Sequence, residues 1–82
     1  MHSLTLYTRV GCHLCDDVKD VLDAVRAEVP FELELVDIDS DPALVAAYGW
    51  EIPVVLIDGR KSFKYRVDPA MLRERLTREE SL

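Results

Sequence analysis

The chain has 82 residues, 49% of them apolar, and a formal net charge of −6. This length suits one domain with a small single core, and the apolar content excludes an intrinsically disordered chain. The negative charge argues against nucleic-acid binding, which depends on neutralising phosphates, and no apolar run approaches the roughly 20 residues that cross a bilayer. We therefore expect one globular domain over residues 1–82 that binds neither nucleic acid nor a membrane.

The first part of the chain predicts a strand, a helix and a second strand. A short apolar strand is expected over Leu4–Thr8. The strongest helical pattern follows, with apolar residues at three-and-four spacing: Leu14, Val18, Val21, Leu22, Val25 and Val29. Pro30 ends this helix, and Phe31, Leu33 and Leu35 then alternate with glutamates, which predicts a strand at a sheet edge. A strand, helix and strand in this order predict a parallel pair.

Turn-forming residues at 37–42 precede a short predicted helix. Asp41 is placed to cap this helix, Pro42 suits its first position, and Gly49 closes it. A helix of so few turns depends on packing for its stability.

A β-hairpin is predicted next. The run Ile52–Ile57 is rich in β-branched residues and predicts a buried strand, and Asp58-Gly59 is a favoured two-residue hairpin turn. The return strand is expected over Arg60–Tyr65, with Phe63 and Tyr65 on one face.

The last predicted element is a helix that Asp68-Pro69 begins. The residues expected to cover the sheet are Met71, Leu72, Arg75 and Leu76. From Arg78 onward the chain is expected to fray into solvent. The whole order is therefore β-α-β-α-β-β-α.

The only two cysteines stand as Cys12-His13-Leu14-Cys15, between the first strand and the first helix. A helix N-terminus stabilises a thiolate, so Cys12 is the candidate nucleophile, and Cys15, one turn later, is expected to be more buried. Two buried inert thiols and a metal site are the alternatives. One pair of cysteines supplies only half of a zinc site, so no metal is expected.

Two cysteines so close together also suit a reducing compartment, the cytoplasm, rather than a secreted disulfide framework.

The element order, the two-cysteine motif and Ile52-Pro53 before the third strand resemble the α/β thioredoxin fold, a four-stranded mixed sheet with three helices. At this length the chain resembles its glutaredoxin-like branch. The segments Tyr7–Cys15 and Asp37–Asp39 are similar to small bacterial glutaredoxin-like proteins. The resemblance implies that Cys12 attacks a disulfide, that Cys15 resolves the intermediate, and that Pro53 is a cis-proline facing them.

Further expectations about glutathione follow from the resemblance. Arg9 stands where glutaredoxins usually carry a lysine, and it would either favour the Cys12 thiolate, bind a glutathione carboxylate, or simply be solvated. The segment Tyr65–Asp68 stands where glutaredoxins typically have a Gly-Gly pair before an acidic cap, so only Asp68 of that signature remains. Glutathione is a possible co-substrate. No bound cofactor is expected, including the shared iron-sulfur cluster of some relatives, which uses glutathione.

The remaining candidates for substrate contact flank the predicted site. His13 replaces a residue of the usual Pro-Tyr pair, and as a cation it would make Cys12 a better leaving group. Trp50 either packs or docks a protein substrate, and the N–H and C=O of Ile52 are placed to pair with an extended substrate segment. A basic cluster is either a solvated edge or a docking patch: Arg60, Lys61, Lys64 and Arg66.

These features predict a monomeric thiol-disulfide oxidoreductase that reduces protein or small-molecule disulfides and is recycled by glutathione or by a reductase partner. The competing class is a redox-inactive binding module on the same fold, which would recognise a partner through a groove at Ile52-Pro53.

Overall fold

The computed structural model describes residues 1–80, with the side chains of residues 1–77. Its elements are β1 (His2–Thr8), α1 (His13–Glu28), β2 (Phe31–Asp37), a 3-10 turn (Ile38–Ser40), α2 (Pro42–Tyr48), β3 (Val54–Ile57), β4 (Arg60–Lys64) and α3 (Pro69–Glu80). This order confirms the predicted β-α-β-α-β-β-α arrangement. Over the described residues, no helix combines the length and apolar character that crossing a membrane requires.

The four strands form one mixed sheet in the order β2-β1-β3-β4. β1 and β2 are parallel, joined by α1, and β3 runs antiparallel to both β1 and β4. The prediction that β2 lies at an edge is confirmed. β1 begins at His2 rather than Leu4, because His2 already pairs with Phe31 of β2. Crossing from β1 to β2 through α1 places the C-terminal end of β1 directly before the start of α1, where the cysteines lie.

One face of the sheet carries the main hydrophobic core. Alternate β1 residues point into it, and they meet apolar side chains of α1, β3 and α3: Leu4, Leu6, Val18, Leu22, Val25, Val55, Ile57, Leu72 and Leu76. The other face of β1 carries Tyr7, whose ring stacks on Tyr48 of α2 with centroids 4.6 Å apart. α1 and α3 therefore cover one face of the sheet, and α2 packs against the other.

The hairpin between β3 and β4 is confirmed at Asp58-Gly59. Both residues have positive φ, 50° at Asp58 and 84° at Gly59, as a type I′ turn requires. Glycine adopts this conformation without steric cost, and aspartate tolerates it better than most residues. The turn type is therefore a direct consequence of the dipeptide.

The predicted start of β3 is wrong by two residues. Ile52 donates its N–H to the carbonyl of Tyr48 at 3.2 Å, and Pro53 has no N–H to give. Neither residue can therefore donate to the sheet ladder, and β3 begins at Val54.

The predicted end of β4 is also wrong. The strand ends at Lys64, and Tyr65 turns to φ +67° and donates its N–H to the carbonyl of Pro53 at 2.8 Å. Phe63 packs against the core, whereas Tyr65 is exposed, so the two do not share a face. Both errors concern the segments that flank the candidate site.

The last helix covers the core mainly through Leu72 and Leu76, which are fully buried as predicted. Arg75 lies over the Phe63 ring, 4.6 Å from its centroid. The prediction for Met71 is wrong, because its side chain lies one position off the buried stripe and is exposed. α3 continues to Glu80, so the expected fraying at 78–80 is wrong, and the remaining part of that prediction, Ser81 and Leu82, lies outside the described residues.

Candidate functional site

The two cysteines form a disulfide at the start of α1, with Cα atoms 5.2 Å apart. Cys12 is the N-cap residue, and its sulfur accepts the N–H of Cys15 at 3.1 Å. Cys15 is buried, with 3% of its surface exposed, whereas Cys12 is half-buried. The expectation that Cys15 is the less accessible sulfur is confirmed.

The first turn of α1 is suited to a negatively charged sulfur at Cys12. In the reduced protein, the N–H of Cys15 would point at the Cys12 thiolate, and the positive end of the helix dipole would add to this contact. The chain turns tightly just before α1, because Cys12 donates its N–H to the carbonyl of Arg9 at 3.2 Å. The arrangement can support attack by Cys12 and resolution by Cys15.

A cis peptide bond joins Ile52 and Pro53, as the resemblance implied. Val54, the next residue, pairs with Tyr7 of β1, so Pro53 lies beside the C-terminal end of β1. That end of β1 leads through residues 9–11 to Cys12. The cis-proline and the disulfide thus lie at the same end of the sheet, although 41 positions separate Cys12 and Pro53 in the sequence.

The segment Trp50–Pro53 connects α2 to β3 and carries three of the predicted contact residues. Pro53 is fully buried and Ile52 is half-buried, whereas Trp50 is 93% exposed. The packing alternative for Trp50 is therefore wrong, and docking of a protein substrate stays a prediction. Since the N–H of Ile52 already bonds to Tyr48, pairing with a substrate would use the Ile52 carbonyl or displace that bond.

Arg9 has a defined partner, Asp39, which lies in the 3-10 turn after β2. Its Nε lies 3.0 and 3.1 Å from the two carboxylate oxygens, and one terminal nitrogen lies 2.7 Å from one of them. This hydrogen bonding raises the pKa of Arg9 and lowers the pKa of Asp39. The positive charge that the sequence places next to Cys12 is thus largely compensated, and its roles toward Cys12 or glutathione stay predictions.

His13 and Asp68 begin the two helices on the core face of the sheet. His13 is the first residue of α1 and its side chain is exposed. Asp68 caps α3 by accepting the N–H groups of Ala70 at 2.8 Å and Met71 at 3.4 Å. A local structural role accounts for Asp68, and its contact with glutathione stays a prediction.

Tyr65 is a residue of this site for which the sequence suggested no role. Its N–H bonds to the carbonyl of Pro53, and its hydroxyl donates to the carbonyl of Trp50 at 3.0 Å. Beside it, Glu51 forms ion pairs with Lys61 and, at 3.8 Å, with Lys64. A tyrosine at the end of a predicted strand carries no sequence signal for such contacts, because its partners lie more than ten positions away. Two residues of the basic cluster, Lys61 and Lys64, therefore already form ion pairs within the molecule.

A groove of about 270 Å³ runs between α1 and the chain after β4. Its lining is mostly apolar and includes Leu14, Val18, Val21 and Tyr65, with Asp17 and Arg66 also at its walls. Leu14 lies between the two cysteines in sequence, so the groove begins beside the disulfide. Among the described residues, no group of three or more histidine, cysteine, aspartate or glutamate side chains is arranged to hold a metal ion.

Comparison with known proteins identifies the family of the chain. Residues 3–77 match the model of the family described as glutaredoxin-like domain (DUF836). An uncharacterized protein of Mycobacterium tuberculosis is 36% identical, in an alignment covering 89% of this chain and 80% of the relative. A glutaredoxin-like protein of Dictyostelium discoideum is 32% identical, with 80% of this chain and 67% of the relative covered.

Solved structures of other proteins share the fold of this chain. The X-ray structure of a protein from X. campestris has 37% identity and a TM-score of 0.75, with 92% of this chain and 96% of that chain covered. Chloroplastic thioredoxin z has 15% identity and a TM-score of 0.81, with 100% of this chain and 80% of that chain covered, and this likeness concerns the fold alone. The structure has the predicted α/β thioredoxin fold, and the chain belongs to the glutaredoxin-like domain family.

Proposed function

We propose that this protein is a thiol-disulfide oxidoreductase that reduces disulfides through Cys12 and Cys15. The observation that carries the proposal is the disulfide at the first turn of α1, in which the outer sulfur, Cys12, accepts a helix N–H. The cis-proline at the same end of the sheet supports it. Membership of the family is consistent with redox chemistry.

The reaction begins with the reduced pair. The Cys12 thiolate attacks one sulfur of a substrate disulfide, which forms a mixed disulfide and releases the other substrate sulfur as a thiolate. The Cys15 thiolate then attacks Cys12, which releases the second substrate thiol and leaves the Cys12–Cys15 disulfide. Two electrons have passed to the substrate. A thiol reductant, either glutathione or a reductase protein, must then return the pair to the dithiol.

The proposal places the protein in the cytoplasm as a monomer, where the thiol pool keeps the pair reduced. Its substrates are protein or small-molecule disulfides. His13 is proposed to tune the leaving-group character of Cys12, since it is exposed at the same helix start.

Single-cysteine variants test the proposal directly, because the chain has two cysteines and each variant retains one thiol. Turnover of bis(2-hydroxyethyl) disulfide and of a disulfide-bonded polypeptide should fall to the uncatalysed level in Cys12→Ser. Cys15→Ser should accumulate a mixed disulfide through Cys12, measured by mass spectrometry. Supplying either glutathione or a flavoprotein reductase as the reductant identifies the electron donor.

If the protein is instead a redox-inactive binding module, the opposite result is expected for partner capture and disulfide turnover. A partner captured equally by wild type and by Cys12→Ser, without turnover of any disulfide by the wild type, would contradict the proposal and favour binding through the Trp50–Pro53 segment.

A further inference from the structure

Tyr65 has an unusual backbone conformation. Its φ is +67°, and the residue after it, Arg66, donates its N–H to the carbonyl of Lys64 at 2.8 Å. A bond across two residues around a positive φ is the mark of the rare, strained form of the γ-turn. Among the described residues, Asp58 is the other non-glycine residue with positive φ. Its hairpin turn explains it, whereas the strain at Tyr65 has no such local reason.

The conformation allows Tyr65 to hold both ends of the segment Trp50–Pro53. Its main-chain N–H bonds to the carbonyl of Pro53 at 2.8 Å, and its hydroxyl donates to the carbonyl of Trp50 at 3.0 Å. A single residue therefore bonds to the first and to the last carbonyl of the segment. The Lys64 ammonium lies 5.6 Å from the centre of the Tyr65 ring and further restricts it.

The same segment has a second attachment through Glu51. Its carboxylate pairs with Lys61 and lies 3.8 Å from Lys64, both on β4. Hydrogen bonding from Lys61 lowers the pKa of Glu51, so the carboxylate is ionised at neutral pH. Main-chain and side-chain contacts thus join the segment to β4 and the turn that follows it.

These contacts immobilise the backbone under a solvent-exposed indole. Trp50 is 93% exposed, yet its carbonyl is held by Tyr65. An exposed aromatic side chain on a rigid backbone contacts a partner with little loss of conformational entropy, which is why such residues dominate binding surfaces. Tyr65 also lines the groove that begins at Leu14.

The size and position of these surfaces favour one class of disulfide. The groove, at about 270 Å³, is just below the roughly 300 Å³ at which small-molecule pockets usually begin, and its mostly apolar lining suits an apolar side chain. A small disulfide needs only the sulfur of Cys12, whereas a polypeptide is large enough to contact Trp50 and the groove as well.

We propose that Tyr65 is a positioning residue, which holds the Trp50–Pro53 segment so that polypeptide disulfides with an apolar side chain beside the cysteine are bound in preference to small disulfides. This inference rests on the proposed function.

Tyr65→Phe tests it, because this change removes the bond to the Trp50 carbonyl and keeps the ring. For a disulfide-bonded polypeptide with phenylalanine beside its cysteine, KM should rise about three- to tenfold, the effect of one hydrogen bond, with kcat unchanged. For bis(2-hydroxyethyl) disulfide both constants should stay within about twofold of wild type. Tyr7→Phe, a matched loss of a hydroxyl in β1, should change neither substrate.

Fluorescence provides a readout that does not depend on turnover. Trp50 is the only tryptophan, so the anisotropy comes from this indole, and a comparison of variants reports changes in the mobility of its segment. Tyr65→Phe should lower the anisotropy of the free protein, whereas Tyr7→Phe should not. Tyr65→Gly, which accommodates the positive φ but lacks ring and hydroxyl, should lower it further and give the largest KM for the polypeptide.

The outcomes separate this inference from the proposed function. Wild-type turnover combined with an unchanged polypeptide KM in Tyr65→Phe would overturn the inference alone, as would an equal rise for both substrates or an equal effect of Tyr7→Phe. A wild type that turns over no disulfide would overturn both.

Discussion

At the scale of single residues, the position of Arg9 near the cysteines in the sequence does not predict which group its charge contacts. Arg9 lies three positions before Cys12, which suggests a cation beside a thiolate, and the carbonyl of Arg9 does accept the Cys12 N–H. Its guanidinium, however, bonds to Asp39, 30 positions away. The field that Cys12 experiences therefore depends on both members of this pair.

Removing the negative partner should expose the charge of Arg9. Asp39→Asn is expected to increase the fraction of Cys12 present as thiolate in the reduced protein at neutral pH, by about twofold, because the Arg9 charge is no longer compensated. Thiolate absorbance and the rate of alkylation by iodoacetamide measure this fraction.

Asp23→Asn provides the control, since it makes the same change of charge on the exposed side of α1 about 16 Å along the helix from Cys12, beyond the screening length. An increase no larger than that of the control would show that Arg9 does not act on the site.

At the scale of elements, interactions within a few residues were predictable, and interactions across the sheet were not. Asp41 and Asp68 cap α2 and α3 as their sequence positions indicate, because a cap bonds to an N–H only two or three residues away. The predicted start of β3 and the predicted end of β4 were wrong, because Ile52 donates its N–H to Tyr48, four residues earlier, and Tyr65 donates its N–H to Pro53, twelve residues earlier, instead of extending the strands. Only the second of these bonds is long-range.

Two substitutions separate the two roles considered for Asp68, capping α3 and contacting glutathione. Asp68→Ala should lower the free energy of unfolding by about 1 kcal/mol, the usual value of an N-cap, whereas Asp68→Asn should preserve it, because asparagine caps equally well. Denaturant unfolding measures the difference.

The KM for glutathione in Asp68→Asn then reports the ligand role alone. An unchanged KM would leave Asp68 with only its structural role.

At the scale of the whole molecule, a buried histidine connects three distant parts of the chain. The two ring nitrogens of His2 face the Asp58 carboxylate at 2.5 Å and the Leu76 carbonyl at 2.9 Å. Asp58 also accepts the N–H of Ser3 at 2.8 Å. This cluster joins the start of β1, the β3–β4 turn and α3, at the end of the sheet opposite the thiols.

The carboxylate of Asp58 makes the stability that this cluster contributes dependent on pH. The Ser3 N–H, followed by His2, lowers the pKa of Asp58 from its ordinary value of 3.8. Because the carboxylate is stabilised in the folded state, its contribution is present above the ordinary pKa and is lost as the pH falls through the lowered one. Asp58→Asn should therefore reduce the free energy of unfolding at neutral pH by about 0.5–1 kcal/mol, a small value because the carboxylate is partly exposed.

The loss caused by Asp58→Asn should shrink as the pH falls below 3.8 and through the lowered pKa of the wild-type carboxylate, which then becomes protonated. Unfolding of both proteins across this range measures the difference between them. A difference that stays constant with pH would contradict an electrostatic origin.

The sequence predicted the element order and the position of the thiol pair at a helix start from periodicity, caps and turn residues, whose interactions span a few positions. The thioredoxin fold and the cis-proline at Pro53 were expected only from the resemblance to a known family. The tertiary structure alone decided that Arg9 is paired with Asp39, that Trp50 is exposed on a fixed segment, and that Tyr65 holds that segment. Such contacts join residues 12 to 30 positions apart, and no local pattern encodes them, because they exist only once the strands have paired.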